Sequence, residues 1–172
     1  MTTKEQITQA ALRLFLNEGY HATTMQQLVA ATDVSKGAFY HYFDSKEALF
    51  LHAVETYLVA HYEQFAWEEL AQEELAAAEA RIADHYARLE EMIQAYSPRG
   101  MAAYFLLFFD AFKLSDVFRD TVQAYYSRLS RELATHYRNE AGIGAAEAMQ
   151  TAIRFISRHE GRFFWSSIFP DA

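Results

Sequence analysis

The chain has 172 residues, of which 52% are hydrophobic and 16% aromatic, with six Gly, two Pro, no Cys and a formal charge of −8. That length supports a sizeable buried core, and so little Gly and Pro suits long helices better than a turn-rich sheet protein. The absence of Cys excludes disulfides, thiolate metal sites and cysteine nucleophiles.

The acidic balance argues at first against a nucleic-acid partner, because duplex DNA is a dense line of negative charge. Its distribution softens the objection. Residues 1–50 carry Lys4, Arg13, Lys36 and Lys46 against Glu5, Glu18, Asp33, Asp44 and Glu47, so the acidic excess lies in the remainder of the chain. The N-terminal residues run directly into an amphipathic pattern without a secretory apolar core. The most apolar run, Met101 to Phe109, falls well short of the ~20 residues of a membrane span. A cytoplasmic protein with no membrane contact is expected.

In chain order, Ile7, Ala10, Ala11, Leu14 and Phe15 fall on one stripe of a 3.6-residue period and define a first helix, ended by Gly19 with Tyr20 folding back. Thr24 and Gln27 have the spacing of a capping box and start a short second helix with Met25, Leu28 and Val29 inward. Asp33 and Val34 make a turn, and Ser35 caps a third helix over about 36–42. Phe39 and Phe43 lie on its inner side. Asp44 or Ser45 caps a fourth helix that runs to about Trp67 with Leu49, Phe50, Ala53, Val54, Tyr57 and Leu58 on its stripe. Further helices are expected over about 69–96, 101–114, 116–139 and 145–168, broken at Ser97–Gly100 and at Gly142 and Gly144.

Two short helices joined by a tight turn, the second exposing Lys36, Tyr40 and His41, meet the needs of a DNA reader. One helix braces against the backbone while the other enters the major groove. Gly37 and Ala38 have almost no side chain, which lets a duplex approach closely, and Lys36 and Tyr40 can reach phosphates or bases. His41 at that edge suits a phosphate contact better than an idle surface role. His52, His61, His85, His136 and His159 read as structural or solvent-facing. The one Glu-x-x-His spacing, Glu18 and His21, crosses a helix end and does not make a di-iron site. No metal, cofactor or catalytic residue is expected, since no nucleophile, base and orienter recur at usable spacing.

Residues 4–50 resemble the DNA-binding domain of the TetR family of bacterial regulators. The likeness is carried by Ala10-Ala11-Leu12-Arg13-Leu14-Phe15 with Gly19-Tyr20, by Thr23-Thr24-Met25-Gln26-Gln27-Leu28, and above all by Val34 through Leu49. It implies that Thr24 and Lys46 hold phosphates and that Ser35, Lys36, Gly37, Ala38, Tyr40, His41 and Tyr42 line the recognition surface, with Gln26 beside them. One departure is Asp33, where the family often has glycine; aspartate tolerates a left-handed backbone better than most residues.

The fold expected is all-α. A three-helix, homeodomain-like helix-turn-helix domain occupies 1–46, with its motif over about 24–43, and a helical effector-binding and dimerisation domain occupies 47–172. The resemblance makes an apolar ligand cavity in the second domain the expectation, with Tyr62, Phe65, Tyr86, Met92, Tyr104, Phe105, Phe108, Phe109, Phe112, Tyr125 and Phe155 as a candidate set. Close packing of a core is the other reading of the same aromatics. The last two helices are the expected dimer seam, with Met149, Ala152, Ile153, Ile156, Phe163 and Phe164 as its stripe. The function expected is a homodimeric repressor, released from a palindromic double-stranded operator by a small, mostly apolar molecule. The alternative is a helical protein-interaction module of the same fold that has lost DNA binding.

Overall fold

The computed structural model describes residues 1–169, and every regular element among them is helical. The order is α1 (Thr3–Glu18), α2 (Met25–Ala30), α3 (Lys36–Tyr42), α4 (Lys46–Ala53), a π-helical stretch (Val54–Val59), α5 (Ala60–Glu63), α6 (Trp67–Leu70), α7 (Leu75–Tyr96), α8 (Met101–Leu114), α9 (Asp116–Ala141) and α10 (Ala145–Ile168).

Local signals set most boundaries. The Thr2 and Thr24 hydroxyls each accept from the amide three residues on, and Glu5 and Gln27 reach back to complete two capping boxes. Ser35, Ser45 and Ser115 cap α3, α4 and α9 in the same way on one side. Gly19 ends α1 at φ 82° and ψ 157°, a region open essentially to glycine alone. Gly142 ends α9 in the left-handed conformation. Asp33 does not use it, because no non-glycine residue among those described has positive φ. The helix-turn-helix turn therefore closes without the left-handed residue that the sequence suggested for Asp33.

α1 to α4 enclose a small core in which Phe15, Phe39, Leu49 and Phe50 are completely buried and Tyr20 packs on Phe50 at 4.5 Å between ring centroids. Burial of each such ring contributes ~1.5–3 kcal/mol. Because Leu49 and Phe50 belong to this core, with Phe50 edge-on to Phe15, the packing of the N-terminal head extends past residue 46. α4 then runs without a loop through the π-helical stretch into α5, so one rod serves both the head and the C-terminal helices.

The rod stops earlier than its apolar stripe suggests. The Trp67 amide donates to the Phe65 carbonyl at 2.9 Å around Ala66 at φ −79° and ψ 73°, an inverse γ-turn. Neither Gly nor Pro marks it. The turn places both Phe65 and Trp67 against Tyr125 of α9, at 5.5 and 5.4 Å between ring centroids.

α9 and α10, joined by residues 142–144, pack antiparallel, with α7 and α8 against them. The dimer stripe expected on α10 divides between two faces. Ala152, Ile156 and Phe163 are buried in the chain's own core, and Met149 packs against it half-buried. Ile153 and Phe164 point outward, at 49% and 56% exposure, together with Trp165, Ile168 and Phe169. Successive residues on a helix point ~100° apart, and a helix apolar on two sides gives one broad stripe in sequence.

Candidate nucleic-acid interface and the helical interior behind it

α3 has seven residues and depends on its neighbours for stability. Phe39, fully buried, and Phe43, 5% exposed, anchor it in the head core, and the Ser35 hydroxyl accepts from the Ala38 amide at 3.2 Å to fix its start. What remains outside is the edge the sequence singled out. Ser35, Lys36, Gly37, Tyr40, His41 and Tyr42 are exposed and Ala38 is half-buried. The Lys36 ammonium lies 6.0 Å from the centre of the Tyr40 ring, and His41 sits edge-on to Tyr42 at 5.2 Å. A methyl added at Gly37 would meet open space, so nothing within 4 Å obstructs approach to this part of α3. Thr24 and Gln26 at the start of α2 are exposed as well, although the Thr24 hydroxyl also donates to Gln27 Oε1 at 2.8 Å.

Lys46, expected to hold a phosphate, has partners within the chain. Its ammonium donates to the Tyr20 and Thr23 carbonyls at 2.8 and 2.9 Å and lies 4.4 Å over the Tyr20 ring. Two of its three donors thus hold the turn between α1 and α2, and only one is left to face outward.

Behind the head, Tyr62, Phe65, Tyr86, Tyr104 and Tyr125 are brought together as buried side chains. Met92, Phe105, Phe108, Phe112 and Phe155 pack half-buried against the core. Phe109 is the exception: it is 66% exposed and forms a surface cluster with Phe105, which also touches Phe164. The interior is less apolar than expected. Tyr62 and Tyr104 share a hydrogen bond of 2.8 Å between their hydroxyls, and the Tyr126 hydroxyl donates to the Glu160 carboxylate.

Sequence reasoning gave His61 and His85 structural or solvent-facing roles and did not place Trp67 or Arg128 beside the interior. The His61 and His85 rings stack at 4.0 Å, and burial pushes their pKa values down to about 4 and about 3. The Arg128 guanidinium lies 4.4 Å over Trp67. Two open clefts flank that pair, one of about 320 Å³ beside Phe65 and Glu69, the other of about 260 Å³ beside Tyr62 and Tyr125. A signal for His85 was available, since it falls on the stripe of Ile82, Tyr86, Leu89 and Ile93.

Head and interior are joined by polar contacts as well as by the α4–α5 rod. Arg13 donates to the Ala95 carbonyl at 3.2 Å and covers the Tyr96 ring at 4.9 Å, and Arg99 donates to the Asn17 carbonyl at 2.9 Å. His21 lies 3.6 Å from the Asp110 carboxylate of α8. Among the described residues no group of three or more His, Asp or Glu could hold a metal ion, and no helix is long and apolar enough to cross a membrane.

Residues 7–53 match the family described as bacterial regulatory proteins, tetR family. The chain is 49% identical over 55 residues to YerO of Bacillus subtilis, an uncharacterized HTH-type transcriptional regulator, a match that covers 32% of this chain and 19% of that protein. It is 39% identical over 51 residues to the HTH-type transcriptional repressor AcnR of Corynebacterium efficiens, covering 30% of this chain and 27% of AcnR. These matches span about a fifth to a quarter of the relatives' own length. The fold extends further: a TetR transcriptional regulator from Legionella pneumophila superposes with a TM-score of 0.66 over 99% of this chain and 90% of its own, at 17% identity. With an exposed reading edge on a capped α3 and this family's signature across α1 to α4, residues 7–53 form a helix-turn-helix head of the tetR type, and the whole chain shares the fold of the Legionella regulator.

Proposed function

We propose that the chain acts in the cytoplasm as a homodimeric repressor whose α3 helices read successive major grooves of a palindromic operator, and that a small molecule held among α5, α7 and α9 releases it. The observation that carries this reading is the pairing of an exposed Lys36–Tyr40–His41 edge with one uninterrupted rod, α4 to α5, that ends in the aromatic interior. AcnR, to which the chain is 39% identical over 51 residues, carries the name of a repressor, which supports repression over activation.

Two reading helices must stand about 34–36 Å apart to enter successive grooves. A ligand that favours another separation weakens DNA binding by the same factor by which DNA weakens the ligand, a coupling of typically ~1–3 kcal/mol. The π-helical stretch Val54–Val59 lies between head and interior, and such stretches occur frequently at functional sites. The test is a mobility-shift assay on operator DNA selected from the regulator's own genomic neighbourhood. Lys36→Ala and Tyr40→Ala are expected to lower affinity about tenfold or more each while leaving the oligomeric state unchanged. Binding by both variants equal to that of the parent refutes the assignment of the reading edge.

A further inference from the structure

Among the described residues, four buried side-chain polar atoms have no hydrogen-bond partner: His61 Nε2, His85 Nε2, the Tyr86 hydroxyl and the Tyr125 hydroxyl. Folded proteins pair nearly all such atoms, so a group of orphans in one region signals something that belongs there. Three of the four residues are contiguous. His61 stacks on His85 at 4.0 Å and 17°, and His85 in turn stacks on Tyr125 at 5.5 Å and 29°. Phe65 stands edge-on to His85 at 4.9 Å, and Trp67 closes the outer side against Phe65 at 4.5 Å. His85 and Tyr125 are 5% and 4% exposed, so water does not satisfy them from outside.

We propose that this nest between α5, α7 and α9 is the binding site for an uncharged, flat aromatic molecule carrying hydroxyl groups, whose hydroxyls pair with His61 Nε2, His85 Nε2 and the Tyr125 hydroxyl. The inference rests on the reading of the interior as the effector site and gives that effector a chemical class.

The chemistry of the walls selects against the alternatives. Burial holds both imidazoles neutral, and each then offers one N–H and one ring-nitrogen lone pair that demand directional partners. A phenolic hydroxyl is both donor and acceptor and meets either tautomer. An ionised ligand suffers the desolvation that strips these imidazoles of their protons. An anion also meets three carboxylates, Glu63, Glu68 and Glu69, against the single Arg128 guanidinium in the lining of the two clefts. A quaternary ammonium brings no hydrogen bond for the orphans, and the aromatic face it would seek on Trp67 is already covered by Arg128 at 4.4 Å. The cleft beside Tyr62 and Tyr125, about 260 Å³, falls just below the usual ~300–1,000 Å³ of a ligand site and suits one or two fused rings; of the three orphan-bearing residues Tyr125 alone lines it, with His85 stacked on Tyr125 and His61 on His85.

The experiment is titration calorimetry of the full chain with four probes of one shape: naphthalene-2,7-diol, naphthalene, naphthalene-2-carboxylate and trimethyl(2-naphthyl)ammonium. The expected result is saturable binding of the diol, at least about tenfold tighter than of the other three. His85→Phe is expected to weaken the diol about tenfold. Tyr125→Phe, which keeps the ring and removes one oxygen, is expected to weaken the diol and leave naphthalene unchanged; it serves as the test where His85→Phe does not fold. Tighter binding of the carboxylate or the ammonium, diol binding equal in the parent and in Tyr125→Phe, or no binding of the diol each overturns the proposal. Operator retention is measured on the same samples. Intact DNA binding without diol binding sinks the site alone, whereas diol binding by a protein that retains no DNA sinks the repressor reading and leaves the site standing.

Discussion

Ser97 Oγ donates a hydrogen bond of 2.8 Å to Asn17 Oδ1, tying the turn between α7 and α8 to the last turn of α1 in the DNA-binding head. Ser97 is 1% exposed, and the Asn17 amide nitrogen also donates to the Arg13 and Tyr96 carbonyls at 2.7 and 3.3 Å. Asn17→Ala leaves a buried hydroxyl without its acceptor and is expected to cost ~1–3 kcal/mol. Thermal unfolding followed by circular dichroism checks this, with a fall in Tm of roughly 2–4 °C per kcal/mol at this chain length. Loss of the latch also loosens the head from the C-terminal helices. The same variant is therefore expected to show a smaller ratio of operator affinities without and with effector. An unchanged Tm and an unchanged ratio together rule the latch out as a coupling element.

Gly37→Ala separates stability from DNA binding. The residue is exposed within α3 and an added Cβ meets nothing within 4 Å, so relief of the glycine penalty is expected to stabilise the fold by ~0.5–1 kcal/mol. The new methyl stands on the surface that a duplex must approach, and operator affinity is expected to fall. Gly19→Ala has the opposite balance: its Cβ also meets nothing, but its φ of 82° is strained for any other residue, at ~1–3 kcal/mol. Chemical denaturation beside a mobility-shift assay reads both variants. A Gly37→Ala protein that binds DNA as well as the parent shows that this part of α3 does not touch the duplex.

Most of the head was legible in the sequence, because capping boxes, the Ser35 cap, Gly19 and the Phe39–Phe43 pair are local devices whose spacing fixes their role. Lys46 was legible as a position but not as a contact, since nothing in sequence shows that two carbonyls 23 and 26 residues upstream converge on its ammonium. The C-terminal helices were legible in length and not in rotation. Ala152 and Ile153 are neighbours that differ by one helical step, one in the core and one on the surface, and only tertiary packing distinguishes them. The γ-turn at Ala66 had no turn residue to announce it, and with it the approach of Phe65 and Trp67 to Tyr125 was hidden. The His61–His85 stack was hidden for the same reason, because its partners lie on different helices.

Salt dependence tests the DNA contact of Lys36. Each phosphate neutralised contributes about −0.9 to the slope of log affinity against log salt on duplex DNA. Lys36→Ala is expected to reduce the magnitude of that slope by about 0.9 for each bound copy. Lys46→Ala is expected to reduce it less, because its ammonium is held by the Tyr20 and Thr23 carbonyls, and to lower Tm more. Titrations by fluorescence anisotropy across a salt series check both. A parent protein with a flat salt response would instead favour a protein-interaction module that has lost DNA binding.

The buried imidazoles give stability a pH dependence of known sign. Burial holds His61 and His85 at about 4 and about 3 in the folded chain, below the value of ~6.5 in an unfolded one, so the unfolded state binds more protons between those limits. Stability is therefore expected to fall as pH drops below about 6.5, with no further loss from these groups once the pH is below their folded values. Carboxylates add their own acid sensitivity, so the measurement is a comparison. Tm between pH 7 and pH 5 is expected to fall less in His85→Phe than in the parent. Equal falls in the two proteins show that His85 is not held neutral by the fold.

The outward face of α10 supplies the last prediction. Ile153, Phe164 and Ile168 lie at intervals of eleven and four residues, a spacing that keeps them on one side of the helix, and they are 49%, 56% and 50% exposed. Ser157 and Gly161 lie between them, also exposed and small enough to let a second helix approach closely. A monomer rarely leaves so many large apolar side chains in water on one helix, and a self-complementary face is what a two-fold dimer requires. Phe164→Glu introduces a carboxylate into the middle of that face and is expected to shift the protein from dimer to monomer in analytical ultracentrifugation. Since Phe164 is exposed, the fold of the single chain is expected to survive, with a helical spectrum like the parent's. Operator affinity is expected to drop steeply, because a lone head neutralises fewer phosphates and reads one half-site. Phe163→Glu, one step around the helix, is expected to unfold the chain instead, because Phe163 is 2% exposed in its own core. A Phe164→Glu protein that stays dimeric places the seam on another surface.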